Sequence, residues 1–295
     1  MTKVISVGNI AMGGTGKSPF TIFLANKYIS LGKRVAVLSR GYKGKIGYDT
    51  HIISDGTGVE YLTPPLAADE PYMIAKSVPK AVVITGKDRN KSFQLALERY
   101  NTDIFILDDG FQHKKMHRDA DIVLLDYNNP ISTGFPFPFG YLREFPSGLK
   151  RADIIVFTKT KHAVLPEQAV RHCAGKPVFF VDFIYKSFSG ELGNSAYLMS
   201  GIAHNEQFAK QIGAKGIKVL GHSRYQDHHH YTEKEILATI NAAKLAGADN
   251  IITTHKDYVK LPQELASHFI YPVLDVEVLN GAETLLFETI QKKLY

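Results

Sequence analysis

The sequence predicts an α/β protein: a P-loop NTPase-type domain on a parallel sheet, followed by a second, smaller α/β domain. Three observations carry this. Short β-branched runs alternate with helical stretches along the chain. The first of these runs opens into a glycine-rich loop and then a helix, the setting a phosphate-binding loop requires. Past Asp182 the alternation of strand and helix begins afresh.

Strands are expected at Lys3–Val7, Arg34–Leu38, Ala81–Thr85, Ile104–Leu107, Asp121–Leu125 and Ile154–Thr158, all suited to one sheet, with Val178–Val181 fitting it less well. A second set follows at Ala196–Ser200, Gly216–Leu220, Asn250–Thr254 and Phe269–Leu274. Between them, Thr232 and Glu235 form a capping box for a helix with Ile236, Ile240, Ala243 and Leu245 on its apolar face. Tyr185-Lys186-Ser187-Phe188-Ser189-Gly190 reads as linker, which gives domains of residues 1–184 and 185–295.

Composition narrows the classes. With 44% apolar and 22% charged residues, the 295-residue chain is neither disordered nor collagen-like. One cysteine, Cys173, can neither close an intrachain disulfide nor build a thiolate metal site, so it is expected to be structural in a reducing compartment. No apolar run reaches the ~18 residues of a membrane span, and the start lacks signal-peptide features. The net charge of +6 suits a polyanionic partner without choosing one, and no motif of a recognised nucleic-acid-binding fold is present. Phe135-Pro136-Phe137-Pro138-Phe139 puts three rings on a stiff extended segment. It reads either as a loop packing its rings inward or as an apolar lip facing lipid or substrate.

The loop Gly8-Asn9-Ile10-Ala11-Met12-Gly13-Gly14-Thr15-Gly16-Lys17-Ser18 carries the chemistry. Gly13, Gly14, Thr15 and Gly16 let backbone N–H groups curl around a phosphate chain, Lys17 adds a point charge, and the Ser18 hydroxyl suits Mg²⁺. Ala11 replaces the first glycine of the usual pattern, while Pro19 sits in the first helical turn, where its missing N–H costs little. A metal-holding acid should end a neighbouring apolar strand, and Asp108-Asp109 does so after Ile104–Leu107. The acceptor side is less determined. Asp69-Glu70 follows a Pro64-Pro65 loop and reads as base or helix cap. Asp227-His228-His229-His230 suits Asp/His proton transfer better than a shared metal, because consecutive side chains diverge. Arg89 and Arg143 are fixed cations for a transferring phosphoryl group.

Taken together these segments resemble the tetraacyldisaccharide 4'-kinase family of the lipid A pathway. The resemblance lies in Val7-Gly8-Asn9-Ile10 and Gly13 to Pro19, Ser39-Arg40-Gly41-Tyr42, Asp69-Glu70-Pro71, Asp88-Arg89, Asp108-Asp109-Gly110-Phe111-Gln112-His113, Leu142-Arg143-Glu144, Ser200-Gly201-Ile202-Ala203, Asp227-His228-His229 and Lys256-Asp257. It implies transfer of the ATP γ-phosphoryl group, with Mg²⁺, to the 4'-hydroxyl of an acylated disaccharide 1-phosphate at the anionic inner face of the bacterial inner membrane. It further implies that Lys17 and Ser18 hold phosphate and metal, and that Asp108 and Glu70 set the metal. Asp109 orients phosphate, and Arg89 and Arg143 contact phosphate. Arg40, Tyr42 and Gln112 meet the acceptor, and Asp69 acts as base with His228 of the second domain, which would close over the site. The chain departs from the family pattern at Ala68 (usually Gly), Phe145 (usually Pro) and His255 (usually acidic), and its first strand begins at Lys3 where members usually carry an apolar anchor beforehand. The competing readings are a soluble sugar or coenzyme-precursor kinase and a partition-type ATPase switch, the latter weakened by Met12 where those loops place a signature Lys.

Overall fold

The computed structural model describes every residue of 1–295 except Met1, Tyr42, Lys43, Ile46, Tyr48 and Val59, so the expectation for Tyr42 lies outside the described residues. The chain runs β1 (Lys3–Gly8), α1 (Lys17–Ser30), β2 (Val35–Ser39), β3 (His51–Asp55), α2 (Asp69–Ser77), β4 (Val82–Thr85), α3 (Arg89–Arg99), β5 (Ile104–Asp108), β6 (Ala120–Asp126), β7 (Ile154–Thr158), α4 (Val170–Cys173) and β8 (Val178–Phe188). It continues with β9 (Ser195–Ser200), α5 (Asn205–Gly213), β10 (Lys218–Arg224), α6 (Glu233–Leu245), β11 (Asn250–Thr253), α7 (His255–Tyr258), α8 (Gln263–Ala266), β12 (Phe269–Ile270), β13 (Pro272–Val278) and α9 (Glu283–Leu294).

Residues 1–184 and 275–295 form one unit, and Tyr185–Leu274 a second. The sheet of the first has the order β13-β8-β7-β6-β1-β5-β2-β4-β3. From β8 through β4 the pairs are parallel, and β3 closes the edge antiparallel to β4. Strands β2, β5 and β7 are buried at every residue, as expected where helices cover both faces and the sequence is apolar up to a polar last residue. Their carboxyl ends lie side by side, with Val7 opposite Asp108 and Ser39 opposite Thr85. Each helix following or preceding these strands runs back across the sheet, so the starts of α1, α2 and α3 sit along that same edge.

Two expectations need correction. Val178–Val181 does join the sheet, beside β7, and the stretch read as linker continues it as strand to Phe188. The smaller unit stops at Leu274, because the last turns return to the first unit: Leu286, Phe287, Ile290 and Leu294 of α9 are buried, Phe287 packs on Phe23 and Tyr28, and Glu283 and Lys293 pair with Lys27 and Asp153. The second unit has a four-stranded parallel sheet, order β10-β9-β11-β12, with a core around Leu198, Phe208, Ile212 and Ile252. The capping box of α6 is formed as its sequence predicts.

Candidate active site

The phosphate loop is braced from three sides. Asn9 donates to the Thr15 hydroxyl (2.9 Å), Thr158 of β7 donates to the Thr15 carbonyl (2.9 Å), and an isolated bridge joins Ala11 to Leu142. The Met12 N–H donates to the Tyr141 carbonyl and the Arg143 N–H to the Ile10 carbonyl, each at 2.7 Å. Two glycines are dictated by geometry. Gly16, the residue before α1, has φ +84°, and a Cβ there would overlap the ring of Phe183; a Cβ on Gly8 would meet Phe111.

At the loop mouth three charged side chains interlock. Arg143 donates from one guanidinium nitrogen to both oxygens of Asp109, at 2.8 and 2.7 Å, and Lys17 Nζ stands 3.7 Å from Asp109 Oδ1. Burial works against ionisation of Asp109, but Lys17 and Arg143 outweigh it and hold the carboxyl below its ordinary range. Asp109 adopts φ +56°, a left-handed conformation costly for a non-glycine residue and characteristic of functional turns. Its neighbour Asp108 is buried and accepts from Ser39 (3.2 Å) and Thr21 (3.4 Å). Burial, then the charges of Glu70 and Asp109, push Asp108 up to about 7.

Arg89, at the start of α3, is buried and donates to the Gly86 carbonyl at 2.7 Å, while its Nε finds no partner. Burial draws its guanidinium down to about 10 against the opposing pull of Asp108 and Asp109. Asp69, the first residue of α2, is buried; Ala68 occupies the cap position, so the cap reading of Asp69 does not hold. Glu70 beside it is exposed, as is Arg40. Gln112 spends its amide N–H groups on the Asn9 carbonyl (2.7 Å) and Glu144 (3.0 Å), so the structure uses it to brace the loop.

Sequence reasoning missed three partners here. Glu144 binds Arg151 with both oxygens at 2.9 Å and ties Gln112 in place. Ser39 and Thr21 hold Asp108. The Leu142-Arg143-Glu144 run flagged Glu144 but not its partners, Arg151 seven positions on and Gln112 far upstream.

In the second unit the three adjacent histidines go to different partners. His228 has φ +64°, and its N–H donates to the Gly201 carbonyl. Lys256 Nζ lies 3.2 Å from His228 Nε2 and 3.1 Å from Asp227 Oδ1. His229 stacks on Tyr225 and meets Glu235. Beneath this loop the fully buried Asp257 accepts from the Gly201 N–H (3.0 Å) and the Thr254 hydroxyl (2.6 Å) and pairs with Lys260 at 2.6 Å. Lys256 and Asp257, for which no role was read from the sequence, thus anchor the His228 loop.

A buried carboxylate beside a phosphate loop, a loop lysine near an acid, and cations flanking both are a set of groups suited to nucleotide-dependent phosphotransfer. Known proteins resemble this chain along its length. The family model for tetraacyldisaccharide-1-P 4'-kinase (LpxK) matches residues 1–295. A tetraacyldisaccharide 4'-kinase of Geobacter metallireducens is 42% identical over 265 residues, covering 88% of this chain and 78% of that protein. One from Syntrophus aciditrophicus is 37% identical over 316 residues, covering 98% and 84%. The crystal structure of "apo" form LpxK from Aquifex aeolicus in complex with ATP superposes with a TM-score of 0.80 at 32% identity, covering all of this chain and 89% of that one. With that site, and with this likeness along its whole length, the chain belongs to the tetraacyldisaccharide-1-P 4'-kinase family.

Proposed function

We propose that the chain carries out its family's reaction, moving the γ-phosphoryl group of ATP to the 4'-hydroxyl of a tetraacyldisaccharide 1-phosphate, through the residues gathered at the phosphate loop. The observation that carries the assignment of roles is the interlocked set Lys17, Asp109 and Arg143, with the buried Asp108 at the end of β5 beside it.

The loop N–H groups and Lys17 hold the triphosphate. Arg143 and Lys17, now shared with Asp109, are positioned to turn toward phosphate oxygens as negative charge spreads over the transferring group. Arg89 has a buried, unpartnered N–H, which suits a phosphate oxygen as its missing acceptor. Asp69 takes the proton of the 4'-hydroxyl as that oxygen bonds to the γ-phosphorus, and the bond from phosphorus to the β-γ bridging oxygen breaks, releasing ADP. His228, held by Lys256 within its own unit, is that unit's candidate proton carrier. Arg40 and Tyr42 are assigned to the acceptor headgroup, and Gln112 to keeping the loop in shape.

The residues also fit Mg²⁺. Asp108 and Glu70 crowd negative charge, and with Ser18 they offer only hard oxygen ligands. Among the described residues no three His, Cys, Asp or Glu side chains form a metal cage, in keeping with a cation bound by one or two carboxylates together with substrate phosphates. When bound, the ion neutralises phosphate charge; Ser18, Asp108 and Glu70 would hold it.

Among the described residues no helix is long and apolar enough to cross a membrane. We assign the meeting with the lipid acceptor to the anionic inner face of the inner membrane, where a substrate with this many acyl chains resides. The test is a mixed-micelle assay with labelled ATP and the tetraacyldisaccharide 1-phosphate. The expected result is phosphorylation that requires the acylated acceptor. Equal turnover of a deacylated sugar would replace this reading with that of a soluble-sugar kinase, and ATP hydrolysis without acceptor transfer would replace it with that of an ATPase.

A further inference from the structure

The segment between Gly134 and Pro146 does not pack its rings inward. Phe135, Phe137, Phe139, Tyr141 and Phe145 are 58, 70, 87, 67 and 56% exposed. Soluble surfaces scatter such residues singly, so five aromatic rings within eleven positions form a patch that calls for a partner. The backbone beneath is well ordered by its own bonds. The Phe137 N–H donates to the Leu142 carbonyl, the Leu142 N–H to the Phe135 carbonyl and the Gly140 N–H to the Pro136 carbonyl. Leu142 is buried in a core with Ile10 and Phe111. The rings therefore stand on a fixed hairpin, and this hairpin is the one bonded to Met12 and Ile10 of the phosphate loop.

We propose that this hairpin is a wedge that docks into the leaflet of an anionic phospholipid membrane. The inference rests on the lipid-acceptor reading and adds which surface meets the bilayer. Two features select a bilayer over another protein. Exposed cations flank the rings in sequence and contact: Lys114 lies 3.9 Å from Glu144, the neighbour of Phe145, and Lys150 lies in the short helical stretch Pro146–Arg151 that follows Phe145 directly. Aromatic rings beside lysines are the composition of a membrane interface, where rings enter the headgroup layer and ammonium groups meet anionic lipid. The placement is also economical. A membrane at this hairpin lies next to the phosphate loop, so a lipid hydroxyl at the headgroup level can meet the γ-phosphate with its acyl chains still in the leaflet.

The experiment is co-sedimentation with phosphatidylcholine vesicles, with and without phosphatidylglycerol. It compares the native protein, Phe139→Ser, Phe137→Ser/Phe139→Ser and Lys114→Glu/Lys150→Glu. Phe139 is so exposed that its replacement cannot disturb the core, and equal thermal midpoints and ATP binding verify folding of the others. The expected result is partitioning of the native protein that falls roughly tenfold or more in the double ring variant. The charge-reversal variant should lose binding on phosphatidylglycerol vesicles alone. Native protein that ignores vesicles, or variants that bind as well as native, would overturn the proposal. So would a ring variant that instead dissolves a dimer in sedimentation velocity. Turnover in detergent mixed micelles separates the two readings: the ring variants should keep it, and its absence in the native protein would remove the kinase reading whatever the vesicles show.

Discussion

A single guanidinium nitrogen of Arg143 spans both carboxylate oxygens of Asp109, at 2.8 and 2.7 Å. Arg143 thereby competes with Lys17 for the same acid. Removing Arg143 leaves Asp109 to draw Lys17 away from phosphate. Arg143→Ala is expected to lower kcat/KM for ATP by about 10²-fold. Because one nitrogen makes both contacts, Arg143→Lys should restore part of that loss. Steady-state kinetics decide it, and an unchanged kcat/KM would make the pair a surface ion bridge.

Asp69 is buried at the first residue of α2. A base at this point acts only as the sugar hydroxyl ionises, so Asp69→Ala should cut kcat by roughly 10²- to 10⁴-fold. Titration calorimetry should find ATP affinity little changed. Near-normal turnover would show that another group takes the proton.

Gly16 combines a left-handed φ of +84° with the ring of Phe183 where a Cβ would sit. Gly16→Ala should lower the thermal midpoint and abolish ATP binding. Adding Phe183→Ala removes the overlap but leaves the backbone penalty of about 1 to 2 kcal/mol, so rescue should be partial. Full rescue would mean that φ is unstrained at this position.

His255 stacks on Tyr271 with ring centres 4.3 Å apart, and burial pulls its imidazole down to about 4 from the ordinary 6.5. Between those values the unfolded chain holds the extra proton, so stability must fall as pH drops from about 6.5 to about 4 and be unaffected above that window. Compared with His255→Gln, the native protein should lose more stability across that interval in denaturant titrations. Parallel curves would mean that the ring is already solvated.

The sequence was most legible where one local pattern sufficed. Ile104–Asp108 reads as a buried strand ending in an acid because every residue but the last is apolar, and the phosphate loop announces itself by its glycines. His51–Asp55 escaped notice because it is an edge strand of mixed polarity paired antiparallel. Val178–Phe188 looked like a strand and then a linker because Lys186 and Ser187 are exposed within it. The apolar spacing of Leu286, Phe287, Ile290 and Leu294 marks a helix but carries no information on which core it covers. The same holds in the site. Lys17 and Asp108 stand out by position, whereas the tasks of Ser39, Glu144 and Asp257 come from contacts across 69, 32 and 56 positions.

The return of Asp275–Tyr295 to the first unit bears on how the polypeptide is made. Protein domains commonly fold in order as they leave the ribosome, the amino-terminal one first. Here the amino-terminal unit still lacks most of β13 and all of α9 when residues 185–274 have emerged, and the apolar seat of Phe287 against Phe23 and Tyr28 stays open until α9 follows. The nucleotide-binding unit therefore reaches its finished form only after the whole of the second unit has been made, and a chain truncated before Glu283 would have a complete phosphate loop but a bare supporting wall.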